Sequence, residues 1–103
     1  MVKVVWTQRA LEDLKDIGDY ISKDSFKFAK ITLEKLVETA SIIENNPLIG
    51  RYVPEFNDKR IREIIKGNYR VIYQIRNETS IFILTVFHCA RLLSIKNLKW
   101  LTE

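Results

Sequence analysis

Cysteine is nearly absent from this chain of 103 residues: Cys89 stands alone. No internal disulfide can form, so the chain carries no oxidative framework and fits a reducing cytosol. Histidine is as scarce, with His88 the only one. Neighbours in a strand point to opposite faces, so His88 and Cys89 cannot assemble a four-ligand zinc site. Three glycines and two prolines leave no glycine-rich phosphate loop, no low-complexity linker and no internal repeat. Long apolar runs are missing too. The opening "MVKVVWTQRA" meets Lys3 and Arg9 with no apolar core between them, unlike a signal peptide, and no segment approaches the roughly 18 uncharged apolar residues of a membrane span. These absences predict a cytoplasmic protein with no metal and no cofactor.

What remains is ordinary globular composition, 47% hydrophobic and 29% charged, in one domain spanning 1–103. Net charge is +4 and the pI about 9.3. The distribution of charge says more than its sum. Residues 1–58 carry eight Lys and Arg against ten Asp and Glu, whereas "KRIREIIKGNYRVIYQIR", residues 59–76, carries six against one. A charge run is usually a solvated face, but crowding this dense suits an anionic or acidic partner equally well.

"VKVVW" is β-branched and aromatic, with Val2, Val4 and Trp6 on one face, and reads as a short strand. Thr7 suits a helix N-cap; after it Ala10, Leu11, Leu14, Ile17, Gly18 and Ile21 form one apolar stripe, with Glu12, Asp13, Asp16 and Asp19 off it. Ser25 caps a second helix with Ala29, Leu33, Leu36, Ala40 and Ile43 on its stripe, ended by Asn45, Asn46 and Pro47. The short link "KDS" makes the pair an antiparallel hairpin, in which Ala10, Gly18, Ala29 and Ala40 allow close approach. "PLIGRYVPEFND" reads as an irregular loop. Three strand signals come after it: "RIREIIK" up to the turn pair Gly67-Asn68, "YRVIYQI", and "SIFILTVF". The predicted fold is α+β, a helical hairpin packed on a small antiparallel sheet, in the order β-α-α-β-β-β with a short C-terminal helical tail.

Alternation puts Tyr69, Val71, Tyr73 and Ile75 against the helices and leaves Arg70, Ile72, Gln74 and Arg76 on an open face, where a charge keeps its water. Arg60, Arg62, Ile64 and Lys66 point together and make that strand basic as well. Arg70 can pair with Glu63 across the hairpin. In the last strand Phe82, Leu84, Val86 and His88 form one set and Ile81, Ile83, Thr85 and Phe87 the other. Periodicity alone does not choose which set faces the core. Cys89 is expected as a small buried hydrophobe.

Taken together, "VVWT", "ALEDL", "NPLIGR", "VPEF", "YRVIY" and the "HCAR" of "VFHCARLL" give the chain, over nearly its whole length, a sequence that resembles the RelE/ParE superfamily of toxins from type II toxin-antitoxin modules. The resemblance implies a small cytosolic toxin neutralised by a cognate antitoxin whose flexible segment wraps it. Some members cleave messenger RNA on the ribosome and others poison DNA gyrase. For a ribosome-dependent endoribonuclease it implies Arg70 and Arg91 as phosphate clamps, His88 as acid-base group and Glu55 as carboxylate base. The plainer alternatives are a structural hydrogen bond for His88, an ion pair for Arg70 and an edge cap for Arg91. The nuclease pattern lacks its tyrosine near the end of the last strand, where Cys89 stands, so the ParE-like branch is favoured. Arg60, Arg62, Lys66, Arg70, Arg76 and Trp100 are the expected contacts for a target or antitoxin; the tail after Arg91 is expected mostly to pack on its own sheet, with partner binding through Trp100 as aromatic anchor the sharper alternative. A non-toxic basic adaptor that binds nucleic acid or protein is the reading from a different class.

Overall fold

A computed structural model of the protein describes residues 2–90. Strand β1 (Lys3–Trp6) leads into helix α1 (Gln8–Ser22), α2 (Phe26–Asn45), a two-residue strand β2 (Arg51–Tyr52), β3 (Ile61–Lys66), β4 (Tyr69–Ile75) and β5 (Ser80–His88). The sheet runs in the order β1-β5-β4-β3-β2. The β3-β4 and β4-β5 pairings are antiparallel as predicted and β2 joins β3 antiparallel too, but β1 pairs with β5 in parallel. The sheet is therefore mixed: the helical hairpin carries the chain across it and returns it to the far side. Strand β2 lies inside the stretch read as loop, and two residues are too few for alternation to reveal.

Both predicted caps form. The side chain of Thr7 accepts from the Ala10 amide and that of Ser25 from the Phe28 amide. Ala10, Gly18, Ala29, Leu36 and Ile43 are buried as their spacing requires, whereas Leu11 is exposed. The hairpin closes tightly at Gly18, where a β-carbon would lie 2.8 Å from Leu33 Cδ1.

Two apolar clusters flank the sheet. On the helical side Ala10, Leu36 and Ile43 meet Val71, Tyr73, Ile81, Ile83 and Val86, with Val2, Val4, Trp6 and Ile64 packed around them. On the other side Val53, Ile61, Ile72, Leu84 and Phe87 form a second core beneath Phe56. The face expected to be open is thus roofed by the 53–60 segment, and the alternating set Arg70, Ile72 and Gln74 is buried. Ile72 is as fully enclosed as Val71, which a half-polar strand pattern does not announce.

The last strand follows neither predicted set along its whole length. A register irregularity at Ile72/Tyr73 pairs Ile72 with Thr85 but Tyr73 with Ile83. The extra residue in β5 reverses the alternation, so Ile81, Ile83 and Val86 face the helices while Leu84 and Phe87 face away. Two residues of the α1 region hold this bulge. Thr7 Oγ1 donates to the carbonyls of Ile83 (2.8 Å) and Leu84 (3.1 Å). Asp13 Oδ2 accepts from the Val86 amide at 3.1 Å and from the Thr85 hydroxyl.

Candidate functional site

The site begins with two words of sequence that interlock. Tyr73, fully buried in β4, donates its hydroxyl to the Pro47 carbonyl at 2.7 Å and accepts from the Gly50 amide at 2.9 Å. Gly50 sits so close that a β-carbon there would lie 2.6 Å from that hydroxyl and 2.8 Å from the Glu63 carbonyl oxygen. This is the physical content of "NPLIGR" opposite "YRVIY". Burial raises the Tyr73 pKa, and the hydroxyl stays protonated and structural. The loop so fixed delivers Arg51 to β3 and then Glu55 to the far side of the sheet.

There Arg70 is gripped by two carboxylates. Its Nη1 and Nη2 reach Glu55 at 2.9 and 3.0 Å in a bidentate pair. Nε donates to Glu63 at 3.1 Å, and Nη2 also bonds Glu63. Glu63, wholly buried, takes a further ion pair from Arg51 at 3.2 Å. The guanidinium of Arg70 lies 5.2 Å from the Phe87 ring centre. Hydrogen bonding to Glu55, with Glu63 behind it and burial opposing, drives the Arg70 pKa further up; the same bond, donated by Arg70, holds the Glu55 carboxyl below its ordinary value. Glu55 and Arg70 are thereby held ionised at neutral pH, and Glu63 with Arg51 completes a cluster of two carboxyl groups and two guanidinium groups.

The other predicted residues are dispersed. Phe87 lies on the face of Arg70, while His88, the next residue, stacks edge-on against Tyr69 on the helical face, ring centres 5.4 Å apart. His88 is exposed and accepts from the Ala90 amide at 3.0 Å. Arg70 and Glu55 are therefore brought together, and His88 is separated from them by the sheet. Arg91, Trp100 and the predicted helical tail lie outside the described residues. Cys89, expected to be buried, is exposed, and its amide donates to the Asn68 carbonyl at 2.7 Å.

The basic strand divides likewise. Arg62 donates to the carbonyls of Leu48 (3.2 Å) and Gly50 (2.8 Å) and stacks 4.6 Å from the Tyr52 ring centre. Arg60 pairs with Asp58 at 3.2 Å, and Arg76 lies 4.8 Å from the Phe82 ring centre. Lys66 lines a groove with Phe28, Lys35 and Tyr69 beside α2. The cations that the sequence set on an open face of one strand and along its basic neighbour lie on two faces and an edge, because β3 presents Arg62, Ile64 and Lys66 to the helices while β4 presents Arg70 and Arg76 to the opposite side. Sequence reasoning missed Arg51 and Asp13; Glu63, the lone acid among the six cations of 59–76, was the available signal for a shared carboxylate.

Among the described residues no group of His, Cys, Asp and Glu is disposed to hold a metal ion, and no helix is long and apolar enough to cross a membrane. A search of curated proteins finds no match. Among solved structures, the chromosomal ParDE toxin-antitoxin system from P. aeruginosa contains a chain of similar fold, 20% identical, covering 85% of this chain and 96% of that one with a TM-score of 0.71. The RelBE2 toxin-antitoxin complex from Mycobacterium tuberculosis contains another, 26% identical over 84% of this chain and 96% of that one, with a TM-score of 0.61. The family model of the ParE toxin of the type II toxin-antitoxin system parDE matches residues 4–93, and the chain belongs to that family, a toxin of the ParE/RelE superfamily.

Proposed function

We propose that this toxin arrests growth by inhibiting DNA gyrase and is neutralised by a cognate antitoxin in the cytoplasm. The observation that carries this reading is the state of Arg70. A phosphate clamp for RNA cleavage must direct unspent positive charge at the developing dianion. Arg70 instead spends its donors on Glu55 and Glu63, and a phosphate there would meet both carboxylates. A general acid must also reach the same scissile group as the clamp, and His88 stands across the sheet. The match to the ParE family model supports the same choice, and both structural relatives come from toxin-antitoxin systems, which supports an antitoxin partner here.

The deciding experiment is induced expression with two assays on the same cells, gyrase supercoiling and messenger-RNA integrity. The expected result is early loss of supercoiling with intact transcripts, relieved by co-expressing a small neighbouring antitoxin reading frame. Early ribosome-dependent cuts in messenger RNA with normal supercoiling would replace this reading with that of an endoribonuclease.

A further inference from the structure

Helix α1 carries four acids, and three of them are already answered. Glu12 accepts from the Gln8 side chain at 3.4 Å, Asp13 holds Arg9, the Thr85 hydroxyl and the Val86 amide, and Asp19 pairs with Lys15 at 3.0 Å. Asp16 is exposed and has neither a hydrogen bond nor an ion pair among the described residues. Lys15 feels its charge but spends its ammonium on Asp19. The helix aggravates the shortage: Glu12, Asp13 and Asp19 stand three or four residues from Asp16, the spacing at which like charges repel. A cation brought in from outside offsets that repulsion.

Asp16 also lines a groove of about 500 Å³ between α1 and the adjoining ends of β4 and β5. Ile17 and Tyr20 continue its wall, and Tyr69 and His88 form the other, their rings edge to face with centres 5.4 Å apart. Tyr20 is 71% exposed, a large aromatic face left in water beside an unanswered carboxylate. Burial, with Tyr20 close by, raises the Tyr69 pKa, so that ring stays a neutral phenol. Aromatic faces attract cations through their quadrupoles. Lys23 Nζ already stands 6.0 Å over the Tyr20 ring, at the outer limit of such a contact, without pairing with Asp16. Among protein cations arginine fits the groove best. Its planar fork binds a carboxylate through two hydrogen bonds and stacks on an aromatic ring, and its methylene stem can lie on the half-buried Ile17 and Tyr69.

We propose that this groove is a docking site for an arginine of a protein partner, whose guanidinium pairs with Asp16 and stacks on Tyr20 while its stem lies along Ile17 and Tyr69. Tyrosine and arginine are residues in which the binding energy of interfaces concentrates. Asp13, already engaged, serves the site only as the post that fixes α1 to β5. The inference is independent of the target of the toxin, and the assays of supercoiling and messenger RNA do not bear on it.

Amide chemical-shift mapping by NMR tests it, with the full-length chain titrated through the millimolar range with acetyl-arginine amide and, separately, with acetyl-citrulline amide, its uncharged isostere. The expected result is a saturable shift confined to the amides around Asp16, Tyr20 and Tyr69 with the first probe and little response to the second. Asp16→Asn and Tyr20→Ala, both at exposed positions, are each expected to weaken binding by about threefold. Glu44→Gln, which removes an equal charge at the open end of the helical hairpin, leaves it unchanged. The spectra themselves report that each variant is folded. No saturable response, shifts spread over the whole surface, an equal response to the citrulline amide, or undiminished binding by both groove variants would each overturn the proposal.

Discussion

Glu55 illustrates how much of this protein rests on single side chains reaching from irregular backbone. Its carboxylate is about a quarter exposed, yet it fixes two nitrogens of Arg70. The hydrogen bond from Arg70 depresses its pKa in the folded state. A depressed carboxyl stabilises the fold fully above its unfolded value of about 4.3, and that contribution is lost as pH falls through the lower folded value. Glu55→Gln is therefore expected to be less stable than the parent at neutral pH, by about 1–3 kcal/mol for a charge-assisted pair. The gap should narrow as the solution is acidified below about pH 4. Urea unfolding of both chains from pH 7 to pH 3 measures it; a constant gap across that range would contradict the role given to the pair. Gly50 makes the complementary point about space. A β-carbon meets both the Tyr73 hydroxyl and the Glu63 backbone carbonyl, and the backbone cannot step aside. Gly50→Ala is expected to cost about 1–3 kcal/mol, read as a lowered midpoint in thermal unfolding.

The elements themselves were legible wherever a period ran long enough to be counted. Both helices, their Thr7 and Ser25 caps and the three consecutive antiparallel strands follow from apolar stripes and turn residues. Three features were not legible. The partner of β1 is distant in sequence and parallel, and β2 is only two residues long. The bulge in β5 has the third and most instructive cause. Strict alternation assigns Thr85 and Phe87 to one face with Ile81 and Ile83, but one inserted residue moves Val86 to the helical side and Phe87 away. A bulge leaves polar backbone without a ladder partner, and here α1 supplies it: Asp13 accepts from the Val86 amide and the Thr85 hydroxyl. An acid lying just off an apolar stripe looks like solvent-facing charge in a sequence; only the fold reveals the acceptor. Asp13→Ala is expected to destabilise the domain by about 1–3 kcal/mol, the cost of unsatisfied buried donors, while Glu12→Ala, one residue away and exposed, stays within about 0.5 kcal/mol of the parent. Chemical denaturation of the two variants distinguishes them.

At the scale of the whole molecule, the sheet separates two environments that one sequence word straddles. "YRVIY" gives Tyr69, Val71 and Tyr73 to the helical core and Arg70 and Ile72 to the second core under the 53–60 segment. Composition recorded the cations of this region but not the loop that would bury one of them, because the contact between Glu55 and Arg70 is made only when the chain has turned across the sheet edge. The consequence is a test separating structure from chemistry. Arg70→Ala strands the buried Glu63 with Arg51 as its remaining ion-pair partner, an imbalance expected to cost about 3–5 kcal/mol and to abolish growth arrest by depleting folded protein. Replacing Glu63 and Arg70 together by apolar side chains of similar reach, Glu63→Leu with Arg70→Met, removes the buried stranded charge and leaves Glu55, about a quarter exposed, without Arg70; exchanges of a buried pair are often neutral or stabilising. The double variant is expected to regain most of the lost stability in urea and, with it, growth arrest and gyrase inhibition; His88→Ala, at an exposed position, is expected to keep both throughout. An endoribonuclease that used Arg70 to hold phosphate would stay inactive in the double variant however well it folded, so a stable, soluble and non-toxic Glu63→Leu/Arg70→Met chain would count against gyrase and return Arg70 to catalysis.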